Sequence, residues 1–260
     1  MVSPAQTVLV FDSGLGGLTV FREAVKARPD AAYVYLADDQ RFPYGHIPEA
    51  ELVPRVVAVI GEAIATYRPD IAVIACNTAS TLALKDLRAR FSVPFIGTVP
   101  AIKPACAVSK TRQVSVLGTQ ATVSREYTRA LIKEFAQGCE VTLVGAAQLA
   151  SYAEAELHGN PVGDDQLASE IAPCFVSTPA KTDTVVLACT HYPLLLDRLK
   201  KVAPWPVDWI DPAPAIARRL TELLGPPRAG KGVPARFVLT SGRAPTAPLT
   251  KALTGYGFSA

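Results

Sequence analysis

Short β-branched runs alternate with longer helical patterns along nearly the whole chain, and this alternation restricts the fold more than any other feature. It is the pattern of β-α units arranged around a parallel sheet. The spacing predicts strands over Thr7–Phe11, Tyr33–Leu36, Ile71–Ala75, Pro94–Gly97 and Val114–Gly118. Further strands are expected over Glu140–Val144, Thr184–Ala188, Val207–Ile210 and Arg236–Thr240. Helical patterns occupy Pro48–Tyr67, Ala79–Phe91, Ser124–Gln137, Gln148–Leu157 and Ala213–Leu224. The Gly- and Pro-rich stretch Gly225–Pro234 reads as a surface loop with solvated basic residues.

A weak internal repeat lies within this alternation. In the first half a strand leads into Asp12-Ser13-Gly14, and a later one ends in Ala75-Cys76-Asn77-Thr78. In the second half a strand leads into Gly118-Thr119, and a later one ends in Ala188-Cys189-Thr190-His191. The interval is 64 residues from Asp12 to Cys76 and 71 from Gly118 to Cys189. Two similar α/β lobes follow, each closing a strand with Ala-Cys. Ligands of open parallel sheets bind beyond the carboxyl ends of the strands, so facing lobes would place one thiol on each wall of a shared cleft.

Composition removes several classes of function. Hydrophobic residues make up 49% of the 260, enough for a packed core. The net charge of +3, with scattered Lys and Arg, does not suit a nucleic-acid partner. Apolar stretches are too short to span a membrane, and the N-terminus reads as a strand rather than a signal peptide, so cytoplasm is the expected compartment. The five cysteines (Cys76, Cys106, Cys139, Cys174, Cys189) are widely spaced with no C-x-x-C pair, which favours free thiols over disulfides or zinc. Three histidines and no H-E-x-x-H argue against a transition metal.

Chemistry therefore falls to a few positions. Cys76 and Cys189 each follow an apolar strand and precede a polar run and a helix. A helix N-terminus lowers a thiol pKa from roughly 8.5; the plain alternative is a small core residue. Asp12-Ser13-Gly14-Leu15-Gly16-Gly17 is a glycine-rich turn able to cradle an anion, without the Lys-Ser/Thr of a P-loop. Asp12 could cap the helix, meet a substrate ammonium or assist a thiol. Arg41-Phe42-Pro43-Tyr44-Gly45 is a shaped loop, and Asn77, Thr78, Thr119, Thr122 and Thr190 offer neutral hydrogen bonds to carboxylates. His191 lies two residues from Cys189 and could share its proton, whereas His46 and His158 read as surface histidines.

In these same residues the chain resembles the glutamate racemases of the aspartate/glutamate racemase superfamily. The likeness runs through Phe11–Val20, Ala37–Gly45, Ala75–Ser80, Leu117–Val123 and Leu187–Leu194, with Thr240-Ser241-Gly242 near the end. It implies two parallel-sheet α/β lobes related by a pseudo-twofold axis, the first formed by residues 1–98 plus 211–260 and the second by 99–210. It also implies a cleft between them, L- or D-glutamate as the small-molecule partner, and no pyridoxal phosphate, metal or nucleotide in the chemistry. A homodimer is compatible with the resemblance. Cys76 would abstract the α-proton of D-glutamate with support from Asp12, and Cys189 that of L-glutamate with support from His191. Asp12, Ser13, Pro43, Tyr44, Gly45, Asn77, Thr78, Thr119, Thr122 and Thr190 would hold the substrate. Ala153–Gly159 resembles the proteobacterial form and adds Glu154 to that set. The role implied is D-glutamate supply for peptidoglycan.

Two thiols suit racemisation, which removes a proton from one face of Cα and delivers another to the opposite face. Rival readings are a racemase of the same superfamily acting on aspartate or another small acid, a Cys/His hydrolase, and an inactive carboxylate-binding scaffold. A hydrolase leaves the second strand-end cysteine unexplained, and an inactive scaffold would be expected to lose one of the two.

Overall fold

Each strand expected from the sequence forms, and those inside a sheet, such as Ile71–Ile74 and Thr184–Ala188, are buried throughout as a central parallel strand requires. The structure, a computed structural model, describes residues 5–227 and 233–259. Part of the expected loop Gly225–Pro234 lies outside them. The strands of the first half are β1 (Thr7–Asp12), β2 (Ala32–Ala37), β3 (Ile71–Ile74) and β4 (Phe95–Gly97). Those of the second are β5 (Gln113–Thr119), β6 (Glu140–Ala146), β7 (Thr184–Ala188) and β8 (Asp208–Ile210), followed by β9 (Arg236–Leu239).

Two parallel sheets result. One has the order β4-β3-β1-β2-β9 and the other β6-β5-β7-β8. Read from the opposite edge, the second sheet repeats the 4-3-1-2 order of the first, the topology expected of two related lobes. The C-terminal strand β9 pairs with β2, with Ala37 beside Leu239, so the chain end returns to the first sheet.

Helices cover both faces of each sheet. The helices accompanying the first sheet are α1 (Leu18–Ala27), α2 (Glu49–Tyr67) and α3 (Asn77–Arg90). Within the second half come α4 (Ile102–Val108), α5 (Gln120–Ser124), α6 (Glu126–Phe135), α7 (Leu149–Leu157), α8 (Asp164–Ile171) and α9 (Leu196–Val202). The last two are α10 (Ala213–Leu224) and α11 (Ala247–Gly255). Strand alternation sorts the core: Val8, Val10, Tyr35 and Val73 pack with Phe21, Ile216 and Leu253 on one face. Leu9, Phe11, Leu36 and Ile74 pack with Leu52, Val56 and Ala83 on the other.

The helix expected over Ser124–Gln137 forms as α6, set off from α5 by a break at Arg125, whose backbone is extended (φ −73°, ψ 141°). The break carries the Arg125 guanidinium to Glu49 at the start of α2, 2.9 Å away, an ion pair reaching from one sheet's helices to the other's. After Cys189 no α-helix begins directly. The chain makes a turn and a 3₁₀ segment, Tyr192–Leu195, containing Pro193, before α9. Only Cys76 therefore stands at an α-helix N-cap.

Candidate active site

The carboxyl ends of β1, β3, β5 and β7 carry Asp12, Cys76, Thr119 and Cys189 toward one another. Ser13, Pro43, Tyr44, Gly45, Cys76, Asn77 and Thr78 from the first sheet's loops line a cavity together with Thr119, Cys189, Thr190 and His191 from the second's. It encloses only about 20 Å³, room for about one water molecule. Two lining residues were not singled out from sequence: Phe42, and Ala150 at the start of α7. The Phe42 ring lies 5.2 Å from the His191 ring.

Three expected site residues stand behind the wall. Asp12 is fully buried; its Oδ1 accepts from Gly14 N at 2.9 Å and its Oδ2 from the Thr190 hydroxyl at 2.9 Å. Thr122 is also fully buried and turns its hydroxyl to Thr119 Oγ1, 3.0 Å away. Glu154 lines a neighbouring cavity of about 330 Å³ with Phe42, His158 and Arg243. The Tyr44 hydroxyl likewise points away, donating to the buried Asp38 at 2.6 Å. His158 is half-buried rather than on the surface, its Nδ1 3.2 Å from the Thr246 hydroxyl, while His46 is exposed.

One amide of the glycine-rich turn meets the protein's own Glu154. Leu15 N donates to Glu154 Oε1 at 2.6 Å, and His191 Nε2 lies 2.8 Å from the same oxygen. Gly16 N also faces Nε2 at 3.2 Å. One ring nitrogen cannot donate to Glu154 and accept from Gly16 together, and the shorter contact with a carboxylate fixes the proton on Nε2. Gly16 is needed for this approach, since a β-carbon there would lie 2.7 Å from His191 Cε1. Nδ1 then faces Cys189 Sγ, 3.8 Å away, free to take or return its proton.

The two thiols have unlike surroundings. Burial pushes Cys76 up to about 12, and the Asp12 charge adds to the effect. The Ala79 amide and Ser13, whose Oγ is 3.6 Å from the thiol, offset only part of it. The helix N-terminus thus does not give Cys76 the low pKa its position suggested. Burial alone would lower the His191 imidazole, but hydrogen bonds to Cys189 and Glu154, and their charges, hold it well above its usual value. The arrangement favours an imidazolium beside Cys189 and an intact thiol at Cys76.

Asn77 is 3% exposed, and neither its Oδ1 nor its Nδ2 has a hydrogen-bond partner. An unpaired buried amide costs on the order of 1–3 kcal/mol, so its place on the cavity wall marks it for a polar ligand.

Comparison with known proteins gives a consistent result. The Asp/Glu/Hydantoin racemase family model matches residues 13–220. A glutamate racemase of Brucella canis is 56% identical over 225 residues, covering 86% of this chain and 81% of the relative. One from Brucella anthropi is 52% identical over 254 residues, covering 96% and 91%. The crystal structure of Escherichia coli glutamate racemase, in complex with L-glutamate and the activator UDP-MurNAc-ala, matches with a TM-score of 0.89 and 42% identity, covering 98% of this chain and 96% of that one. Among the described residues no helix is long and apolar enough to cross a membrane.

Proposed function

Because the chain belongs to the Asp/Glu/Hydantoin racemase family, we propose that it interconverts L- and D-glutamate by proton transfer between two cysteines, without a cofactor, in the cytoplasm. The observation that carries this reading is the pair Cys76 and Cys189, one from each sheet, lining a single cavity beside an unpartnered buried amide.

In this reading His191, anchored by Glu154 and 3.8 Å from Cys189, serves Cys189 as its proton partner, and Cys76 keeps its proton. L-glutamate entering this state gives its α-proton to Cys189 while Cys76 delivers one to the opposite face, producing D-glutamate. For D-glutamate the two cysteines exchange roles. An α-proton is far less acidic than a thiol, so the developing carbanion needs fixed donors in a site closed to water. Asn77 Nδ2, the Ser13 hydroxyl and the Thr119 hydroxyl are available; the Thr190 hydroxyl is committed to Asp12. Substrate is larger than the enclosed 20 Å³, so the cavity must widen to admit it. The D-glutamate formed would supply peptidoglycan synthesis.

The test is incubation with L-glutamate in D₂O, without added cofactor, following the Cα–H signal by NMR and optical activity by circular dichroism. Both should decay together. Exchange of aspartate but not glutamate would keep the two-thiol chemistry and correct the substrate. No exchange of either acid by folded, reduced protein would overturn the reading.

A further inference from the structure

Two of the remaining cysteines stand against each other, away from the cavity. Cys106 lies in the last turn of α4, and Cys139, 33 residues later, immediately precedes β6. The Cys139 thiol approaches the Cys106 carbonyl oxygen at 3.7 Å. Leu131, Ile132, Phe135 and Val141 share the same partly buried cluster. Both thiols are partly exposed, whereas Cys76, Cys174 and Cys189 are buried.

Position gives the pair a structural consequence. The α4 helix is the first element after the chain leaves β4 for the second sheet, and β6 is the outer strand of that sheet. A covalent link between them would close a loop containing β5, α5 and α6, and with them Thr119.

We propose that Cys106 and Cys139 are an oxidation site, converted by a peroxide into an intrachain disulfide and reopened by thiol reductants. Cys139 attacks the peroxide, forming a sulfenic acid and releasing water. The Cys106 sulfur then attacks the sulfenic sulfur; the S–O bond breaks, and the leaving hydroxide takes the Cys106 proton as a second water. The two thiols are oxidised and one peroxide is reduced to two waters. Burial and the neighbouring Cys139 thiol push Cys106 up to about 12, which leaves it little thiolate for the first attack on peroxide.

The experiment treats the full chain with one equivalent of hydrogen peroxide, then measures intact mass, free thiols, a peptide map and L-glutamate turnover. Two of the five thiols should be lost, with a mass lower by two hydrogens and a linked Cys106–Cys139 peptide. Turnover should persist, dithiothreitol should restore both thiols, and the linked form should unfold at a higher temperature. In Cys106→Ser the link should vanish and Cys139 should become trappable by dimedone. Five intact thiols after peroxide, a sulfinic acid beside a free partner, purely intermolecular links, or loss of turnover before the pair closes would each overturn the proposal. The mass and peptide map stand apart from the racemase reading, so failure of one can be told from failure of the other.

Discussion

The Thr190 hydroxyl donates to Asp12 Oδ2 at 2.9 Å, joining the residue after one cysteine to the carboxylate that acts on the other. Two donors to Asp12, Thr190 and Gly14, suit an ionised group that can only accept. Its charge helps hold Cys76 up, so Asp12→Asn should bring the Cys76 thiol down from about 12 while burial keeps it above an ordinary thiol. The weaker base should slow D-glutamate turnover by up to about 10²-fold. The pH dependence of Cys76 alkylation in a Cys189→Ala background measures the shift; an unmoved profile would mean that Asp12 is only a turn residue.

Removing either of the two thiols proposed as catalytic should separate exchange from inversion. Cys76→Ala leaves Cys189 to exchange the α-proton of L-glutamate, and Cys189→Ala leaves Cys76 to exchange that of D-glutamate. Racemisation should fall by at least about 10²–10⁴-fold in both, with L-glutamate binding still visible by calorimetry. Similar exchange of both enantiomers by one variant would contradict a thiol assigned to each face.

Much of this arrangement was legible because parallel strands need continuous apolar runs. Thr184–Ala188 forms with the bounds its sequence suggested, and the two Ala-Cys strand ends do meet at one cavity. What escaped depends on contacts distant in sequence. Leu15 meets Glu154 across 139 residues, and Gly16 meets His191 across 175. The glycine-rich turn pointed to an anion, but not that one of its amides would meet the chain's own Glu154. Pro193 lacks the N–H that an α-helix starting at Cys189 would use, and the chain takes a 3₁₀ turn there instead. Burial, which pushes the Cys76 thiol up, comes from packing in one cluster with residues such as Phe11, Tyr44 and Leu52, distant in sequence, which no local pattern carries.

Gly16→Ala should damage the site more than the fold. The added β-carbon would occupy the space of the His191 ring, so the imidazole must leave Glu154 or the turn must shift. Overpacking of this kind costs typically about 1–3 kcal/mol, a modest loss for a domain of this size. Turnover of L-glutamate should drop sharply, since in the proposed mechanism it begins at Cys189. Normal turnover by the variant, with thermal stability unchanged, would show that His191 has room to spare.

Asp183 tests stability alone, far from the chemistry. Partial burial would raise this carboxyl, yet the Ser109 hydroxyl, the Thr111 and Lys110 amides and the Thr184 hydroxyl hold it down at about 2. A depressed carboxylate stabilises the fold above its unfolded value of roughly 3.9 and loses that contribution as pH falls through the folded value. Asp183→Asn should therefore destabilise the protein at neutral pH, with the gap closing between about pH 4 and 2. Denaturant unfolding at several pH values measures it; a gap constant with pH would assign the loss to packing instead.

Glu154→Gln keeps an oxygen for Leu15 and removes the charge beside His191. The buried imidazole is held above its usual value by its hydrogen bonds to Cys189 and Glu154, so losing one anion must lower it. A raised histidine contributes stability in full below its unfolded value of roughly 6.5 and loses it as pH climbs through the folded value. In the variant that loss should begin at lower pH, and the alkaline fall in L-glutamate turnover should move the same way, because the imidazolium no longer persists beside Cys189. NMR titration of the His191 ring reads the shift directly, and turnover profiles read its consequence. If the ring titrates lower while the turnover profile stays fixed, the charge on His191 is incidental and Glu154 serves only to pin the glycine-rich turn. If both move together, the chain from Leu15 through Glu154 and His191 to Cys189 sets which thiol is the base when L-glutamate arrives.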